Sequence, residues 1–306
     1  MQVKIYQQMA RLQTTLEPWQ PTQQSSQISK LLLLLVIFCS AGIFFLPAGE
    51  CTHSGKFCVY DGLSNRSGKP DLVKDYGLKP LLSIYENELL GSDLRTNREL
   101  NSADKERIQT LAKRLADQKY CPVVCLDIEC WKLLGVPDNL FRRNVEKYRA
   151  VAHWFHEAAP SVRIGYYGVV PIVDYHLLEH GGIDSPRYAD WLRRNKMLAP
   201  VLNEVNVTFP CLYTTKASLK DWDQLAVAVL SYAKGLGKPM IAFLWPCYYF
   251  GENNCEQEIP GHIWHHELTT AYELGASGAV IWCHSGWHWN DNDVWWQETK
   301  KFIGRD

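Results

Sequence analysis

Three absences narrow the sequence first. No Cys-x-x-Cys pair occurs, and the Cys121 and Cys125 spacing has no matching second pair, so no structural zinc site is expected. No glycine-rich loop follows any strand-like run, which argues against a nucleotide-binding, doubly wound sheet. Nor is there an excess of either charge: 32 Lys and Arg against 33 Asp and Glu leave a net charge of −1. That lacks the basic footprint of a nucleic-acid binder. The chain is expected to use neither metal nor cofactor.

Aromatic residues are plentiful by contrast. They make up 12% of the chain, with 12 Trp, which suits both a large core and a cleft that stacks on sugar rings. From Leu31 to Ala48 the sequence is almost wholly apolar and opens with five leucines behind Lys30. Its length is close to a bilayer span. The cationic flank on its N-terminal side directs the remainder out of the cytosol. Residues 1–29 read as a disordered tail. Residues 30–49 read as a signal-anchor, with a cleaved signal peptide as the alternative, and 51–306 as one catalytic domain. An extracellular or membrane-anchored location is therefore expected. Nine cysteines beyond the apolar run agree with an oxidising compartment, as do sequons at Asn65 and Asn206. Cys247 and Cys255 flank a short polar loop after an apolar run and are expected to pair.

Seven runs read as strands: 56–62, 81–85, 123–129, 162–168, 207–213, 239–245 and 278–282. Pro210 weakens the fifth. Helical patterns alternate with them, with Val145, Tyr148, Ala152 and Phe155 on the stripe of the longest. Continuously apolar strands alternating with helices predict a parallel sheet buried on both faces. The best fit is a (β/α)8 TIM-type barrel, whether complete, distorted or with seven strands; an open doubly wound sheet is the alternative.

Functional groups of such a barrel gather at the C-terminal strand ends. Those ends carry Tyr85 and Glu86, then Asp127 and Glu129, Tyr167, Tyr213, Trp245 and Trp282. The spacing of Asp127 and Glu129 predicts one shared strand face, where mutual repulsion raises one of their pKa values. An acid pair among Tyr and Trp is the chemistry of a sugar site. No later strand end offers another carboxylate as nucleophile. The substrate's own 2-acetamido group is then expected to attack, with one acid donating a proton and the other orienting the amide. The histidines at 153, 156, 262, 265 and 266 fall on helices outside the barrel and read as packing or surface groups.

Several of these segments resemble the animal and venom hyaluronidase family. Ile84-Tyr85-Glu86-Asn87-Glu88-Leu89-Leu90-Gly91 is similar to the family's segment after its second strand. Leu126-Asp127-Ile128-Glu129-Cys130-Trp131 resembles its acidic motif Asp-Trp-Glu-Glu-Trp, with Cys130 at the second Glu. Ile164-Gly165-Tyr166-Tyr167-Gly168 resembles Trp-Gly-Tyr-Tyr. Phe209-Pro210-Cys211-Leu212-Tyr213 resembles Phe-Pro-Ser-Val-Tyr. The segment from Leu274 to Trp282 resembles Leu-Gly-Ala-Ala-Gly-Val-Ile-Leu-Trp. The five lie in the family's order.

The resemblance implies a distorted barrel that cleaves a β-linked N-acetylhexosamine polysaccharide, hyaluronan-like, with retention. It implies Glu129 as acid/base and Asp127 as orienter of the acetamido group. It implies that Tyr167, Tyr213 and Trp282 position that group and the ring. The alternative is an inactive carbohydrate-binding protein on the same barrel.

Overall fold

The structure, a computed structural model, describes residues 57–63, 68–92, 98–117, 123–215, 218–249, 257–283 and 288–304. The chain divides into Met1–Thr52 and His53–Asp306, and every described residue belongs to the second unit. The expected tail and apolar segment, Asn65 and Cys255 lie outside the described residues. Among those described, no helix is long and apolar enough to cross a membrane.

In chain order the elements are β1 (Cys58–Asp61), α1 (Leu72–Tyr76), β2 (Lys79–Tyr85), α2 (Glu86–Leu90), α3 (Ser102–Ala116), β3 (Val123–Asp127), α4 (Asp138–Ala158) and β4 (Arg163–Tyr166). A 3-10 turn at Gly182–Asp184 precedes α5 (Pro186–Lys196) and α6 (Ala199–Glu204). Then come α7 (Leu219–Gly235), β5 (Ile241–Leu244), α8 (Gly261–Glu273), β6 (Gly278–Ile281) and α9 (Val294–Phe302).

All six strands are parallel, in the order β4-β3-β2-β1-β6-β5. Strands β5 and β6 are buried throughout, and β3 is buried up to its last residue. Such continuous burial is what a helix-covered parallel sheet requires.

The two edges of this sheet, β4 and β5, are joined by the expected fifth run. Phe209 bridges Tyr167 on one side, while Thr208 bridges Met240 and Cys211 bridges Phe243 on the other, all in parallel. The Val207 N–H donates to Ile164 O at 3.3 Å, and the Phe243 N–H donates to Pro210 O at 2.8 Å. Pro210 accepts a bond but has no N–H to return, so the segment makes isolated bridges rather than a ladder. The result is an α/β barrel-like ring of six strands and one bridging segment. Among the described residues this makes seven staves, not the eight of a complete (β/α)8 barrel.

Closure depends on Gly165. A Cβ built there would lie 2.5 Å from Val207 O and 2.9 Å from the Phe209 ring, so a side chain would force β4 and the bridging segment apart. The outer helices bury the stripes read from the sequence; Val145, Tyr148, Ala152 and Phe155 of α4 are each at most 4% exposed. Helix α3 opens on a capping box: Asn101 is the N-cap, and the Asp104 carboxylate reaches back to accept the Asn101 N–H at 2.9 Å.

Candidate active site

The C-terminal ends of the strands gather the expected groups, but by different means. Strand β3 stops at Asp127, and Glu129 stands two residues further on, exposed, in a loop whose Ile128 and Trp131 are buried. Strand alternation therefore does not aim Glu129. Two other contacts hold its loop. The Glu86 carboxylate, at the start of α2, accepts the N–H groups of Glu129 and Cys130, each at 2.9 Å. From the α4 side, the buried Tyr148 hydroxyl lies 2.7 Å from Ile128 O and 3.1 Å from Trp131 O. A single hydroxyl proton serves these two carbonyls in turn.

Asp127 is the electrostatic centre. Its Oδ1 is buried and has no hydrogen-bond partner among the described residues. Burial, reinforced by the charges of Glu129 and Glu86, pushes its pKa up to about 7. The expected raised carboxyl is thus Asp127, the more enclosed of the pair.

An aromatic wall stands beside the acids. Tyr213 stacks on Trp282 with ring centroids 5.7 Å apart and planes at 19°, and on Tyr175 at 5.8 Å and 13°. Trp245 meets both Tyr213 and Trp282 edge-on, at 5.4 and 5.2 Å. Tyr213 and Trp245 are 3% and 2% exposed, so they form the body of the wall. Tyr85, 42% exposed, and the half-buried Tyr167 and Trp282 offer surface at the mouth. Tyr85 has its pKa raised by burial, an effect partly offset by a hydrogen bond with Trp282 that ties the ends of β2 and β6 together.

Tyr175 and Cys211 were not singled out by sequence reasoning. The Tyr175 hydroxyl lies 2.9 Å from Cys211 Sγ, which in turn donates to the Tyr167 hydroxyl at 3.2 Å. Burial pushes the Cys211 thiol up to about 12, so it remains protonated and acts as a hydrogen-bonding joint. Tyr175 sits in a loop without periodicity, and nothing in the sequence relates it to Cys211. Glu86 did have a signal, as a third acid at a strand end, but its role as a loop anchor requires the fold.

The remaining candidates lie apart from this mouth. Cys247 is buried with a free thiol, and its expected partner Cys255 is outside the described residues. Asn206 is half-buried at the start of the bridging segment. Its Oδ1 accepts the Ile164 N–H at 3.0 Å and contacts His156 Nε2 at 2.9 Å. His153, His265 and His266 make surface pairs, such as His266 with Asp223 at 2.6 Å. Among the described residues no group of three or more His, Cys, Asp or Glu side chains could hold a metal ion.

No family model matches the chain, and no curated protein matches it in sequence. Solved structures do match its fold. Bee venom hyaluronidase superposes with a TM-score of 0.56 at 13% identity, over 81% of this chain and 96% of that one. The same bee enzyme in complex with a hyaluronic acid tetramer gives 0.55 at 12% identity, over 81% and 95%. At that identity the likeness establishes a shared barrel-like fold.

Proposed function

We propose that the protein is a glycoside hydrolase that cleaves a β-linked N-acetylhexosamine polysaccharide with retention, using the substrate's acetamido group as nucleophile. The observation that carries this reading is the buried, unpartnered Asp127 Oδ1 beside Glu129 and under an aromatic wall. A buried acceptor without a donor is costly. The N–H of an acetamido group is a donor of the right kind to satisfy it. The fold shared with bee venom hyaluronidase, also solved with a hyaluronic acid tetramer, adds support.

The free pair holds its proton on Asp127 at mildly acidic pH. A bound sugar reverses this. Its amide N–H stabilises ionised Asp127, while its ring removes water from Glu129 and favours the neutral acid there. Glu129 then gives its proton to the glycosidic oxygen as the C1–O bond breaks. The acetamido oxygen bonds to C1, and the amide proton passes to Asp127, leaving a neutral cyclic intermediate. Water next attacks C1, giving its proton to Glu129, and the amide recovers its proton from Asp127. Two inversions at C1 give net retention. The apolar segment before residue 50 and its cationic flank support action outside the cytosol.

Hyaluronan, chondroitin and chitin oligomers are the test substrates. Replacing Glu129 by Gln should cut turnover by about 10²–10⁴-fold while leaving ground-state binding nearly intact. A thiazoline mimic of the cyclic intermediate should inhibit. Equal cleavage of substrates that lack the N-acetyl group would sink the reading.

A further inference from the structure

A cleft of about 400 Å³ shares Tyr175 and Tyr213 with the aromatic wall, and Tyr213 in turn lies within reach of the Asp127 charge. Its other side is the start of α7. Glu179 and Asp221 line it, Gln224 supplies a neutral amide, and His180 is the one described lining side chain that can become positive. Neither Lys nor Arg appears among the described lining residues. Glu179 already has basic neighbours: His176 Nδ1 at 3.0 Å, and the Arg187 guanidinium, which pairs with Asp174 and also feels the Glu179 charge. At the catalytic end the charge is again negative: Glu86, and the one charge that the Asp127–Glu129 pair keeps while it holds its proton. A chain that spans the pair and the cleft therefore meets carboxylates at both ends, with aromatic rings between.

We propose that this cleft is a sugar subsite selecting an uncharged N-acetylhexosamine chain over a polymer that alternates with uronic acid. The inference rests on the glycosidase reading above and specifies its substrate. A uronate polymer carries a carboxylate on every second sugar. Filling both ends of the site would set one of these against Glu179 and Asp221, or against the catalytic acids, with no described cation lining the cleft to neutralise it. Like charges brought together during binding disfavour the wrong partner more than they strengthen the right one. Hydroxyl and acetamido groups instead match Gln224 and the Tyr175 ring.

Calorimetry on the full chain carrying Glu129→Gln tests this without turnover. The probes are a β-1,4-linked N-acetylglucosamine hexamer and a hyaluronan hexamer. The neutral hexamer should bind about tenfold tighter or more at low ionic strength. Added salt should narrow the gap, because it screens the repulsion. In the Glu179→Gln/Asp221→Asn background the gap should shrink by about threefold or more. Equal or tighter binding of the hyaluronan hexamer at low salt overturns the inference, as does a gap indifferent to salt. Turnover by the unsubstituted chain is read separately. Cleavage of hyaluronan in preference to chitin oligomers would overturn the charge selection and leave the glycosidase reading standing. Loss of activity on every N-acetylhexosamine polymer would remove the glycosidase reading itself.

Discussion

The Glu86 carboxylate carries the loop that presents Glu129: a single oxygen, Oε2, accepts both the Glu129 and the Cys130 N–H at 2.9 Å. An acid from the end of β2 therefore fixes the backbone of an acid from the end of β3. Replacing Glu86 by Ala leaves those two N–H groups to water and frees the loop. Turnover should fall by about 10–100-fold, the scale expected when a catalytic group is misplaced by about 1 Å. Glu86→Gln keeps an acceptor oxygen and should restore most of that loss. If Gln and Ala variants are equally impaired in kcat, the charge of Glu86 matters and its geometry does not.

Gly165 should be intolerant of any side chain. The Cβ of Gly165→Ala would meet Val207 O at 2.5 Å, a backbone atom that cannot swing aside. The bridging segment would have to move away from β4. A destabilisation of about 1–3 kcal/mol is expected, the usual cost of overpacking a tight contact. Urea unfolding of the two proteins measures it. A variant as stable as the parent would mean that ring closure at this seam contributes little.

Strand positions were legible because buried parallel strands are continuously apolar, and that pattern is independent of partners. The runs ending at Asp127, Leu244 and Ile281 are cases in point. The 207–213 run kept its place in the ring but not its ladder, since Pro210 lacks a donor. Helix α2, with five residues, is too short to produce a period, and its N-cap Tyr85 is at the same time the last residue of β2, so no gap in the sequence announces it. The site was legible as a list of residues and not as a mechanism of positioning. Period-two reasoning assigned Glu129 to a strand face. Its loop is in fact held by Glu86 and Tyr148, 43 residues before it and 19 after it in the chain, and no local pattern encodes such contacts.

Behind the aromatic wall, Glu267 of α8 is 0% exposed and takes a hydrogen bond from the Thr214 hydroxyl, while its Oε2 has no partner among the described residues. Burial raises its pKa well above the ordinary carboxylate value. A raised carboxyl disfavours the fold increasingly as pH climbs from the unfolded-state pKa toward the folded one. Glu267→Gln keeps an acceptor for Thr214 and cannot ionise, so it should raise Tm at pH 8 more than at pH 5. Glu267→Ala should destabilise at both, by about 2–4 kcal/mol, through the cavity and the stranded Thr214 hydroxyl. A Gln variant less stable than the parent at pH 8 would contradict the buried-acid account.

The Asp127 carboxyl should leave the same kind of mark on both stability and rate. Its folded pKa of about 7 lies above the ordinary value of 3.8, so the native chain binds a proton that the unfolded chain releases. The fold is therefore unpenalised below the unfolded-state pKa and loses stability as pH rises from there to about 7. An upper bound on that loss is roughly 4 kcal/mol. Asp127→Asn, which cannot ionise, should match the parent at pH 4 and exceed it in Tm at pH 8. Catalysis has the opposite interest in this group. The free enzyme must hold one proton on the Asp127–Glu129 pair, so kcat/KM should decline on an alkaline limb near pH 7. Asp127→Asn should lose most activity while gaining stability. Glu129→Gln removes a like charge and should move the stability change of Asp127 to lower pH. Thermal unfolding of the three proteins between pH 4 and 8 separates these effects. If Asp127→Asn gains no stability over the parent as pH rises, Asp127 ionises like a surface carboxylate, and the amide proton of the substrate needs another acceptor.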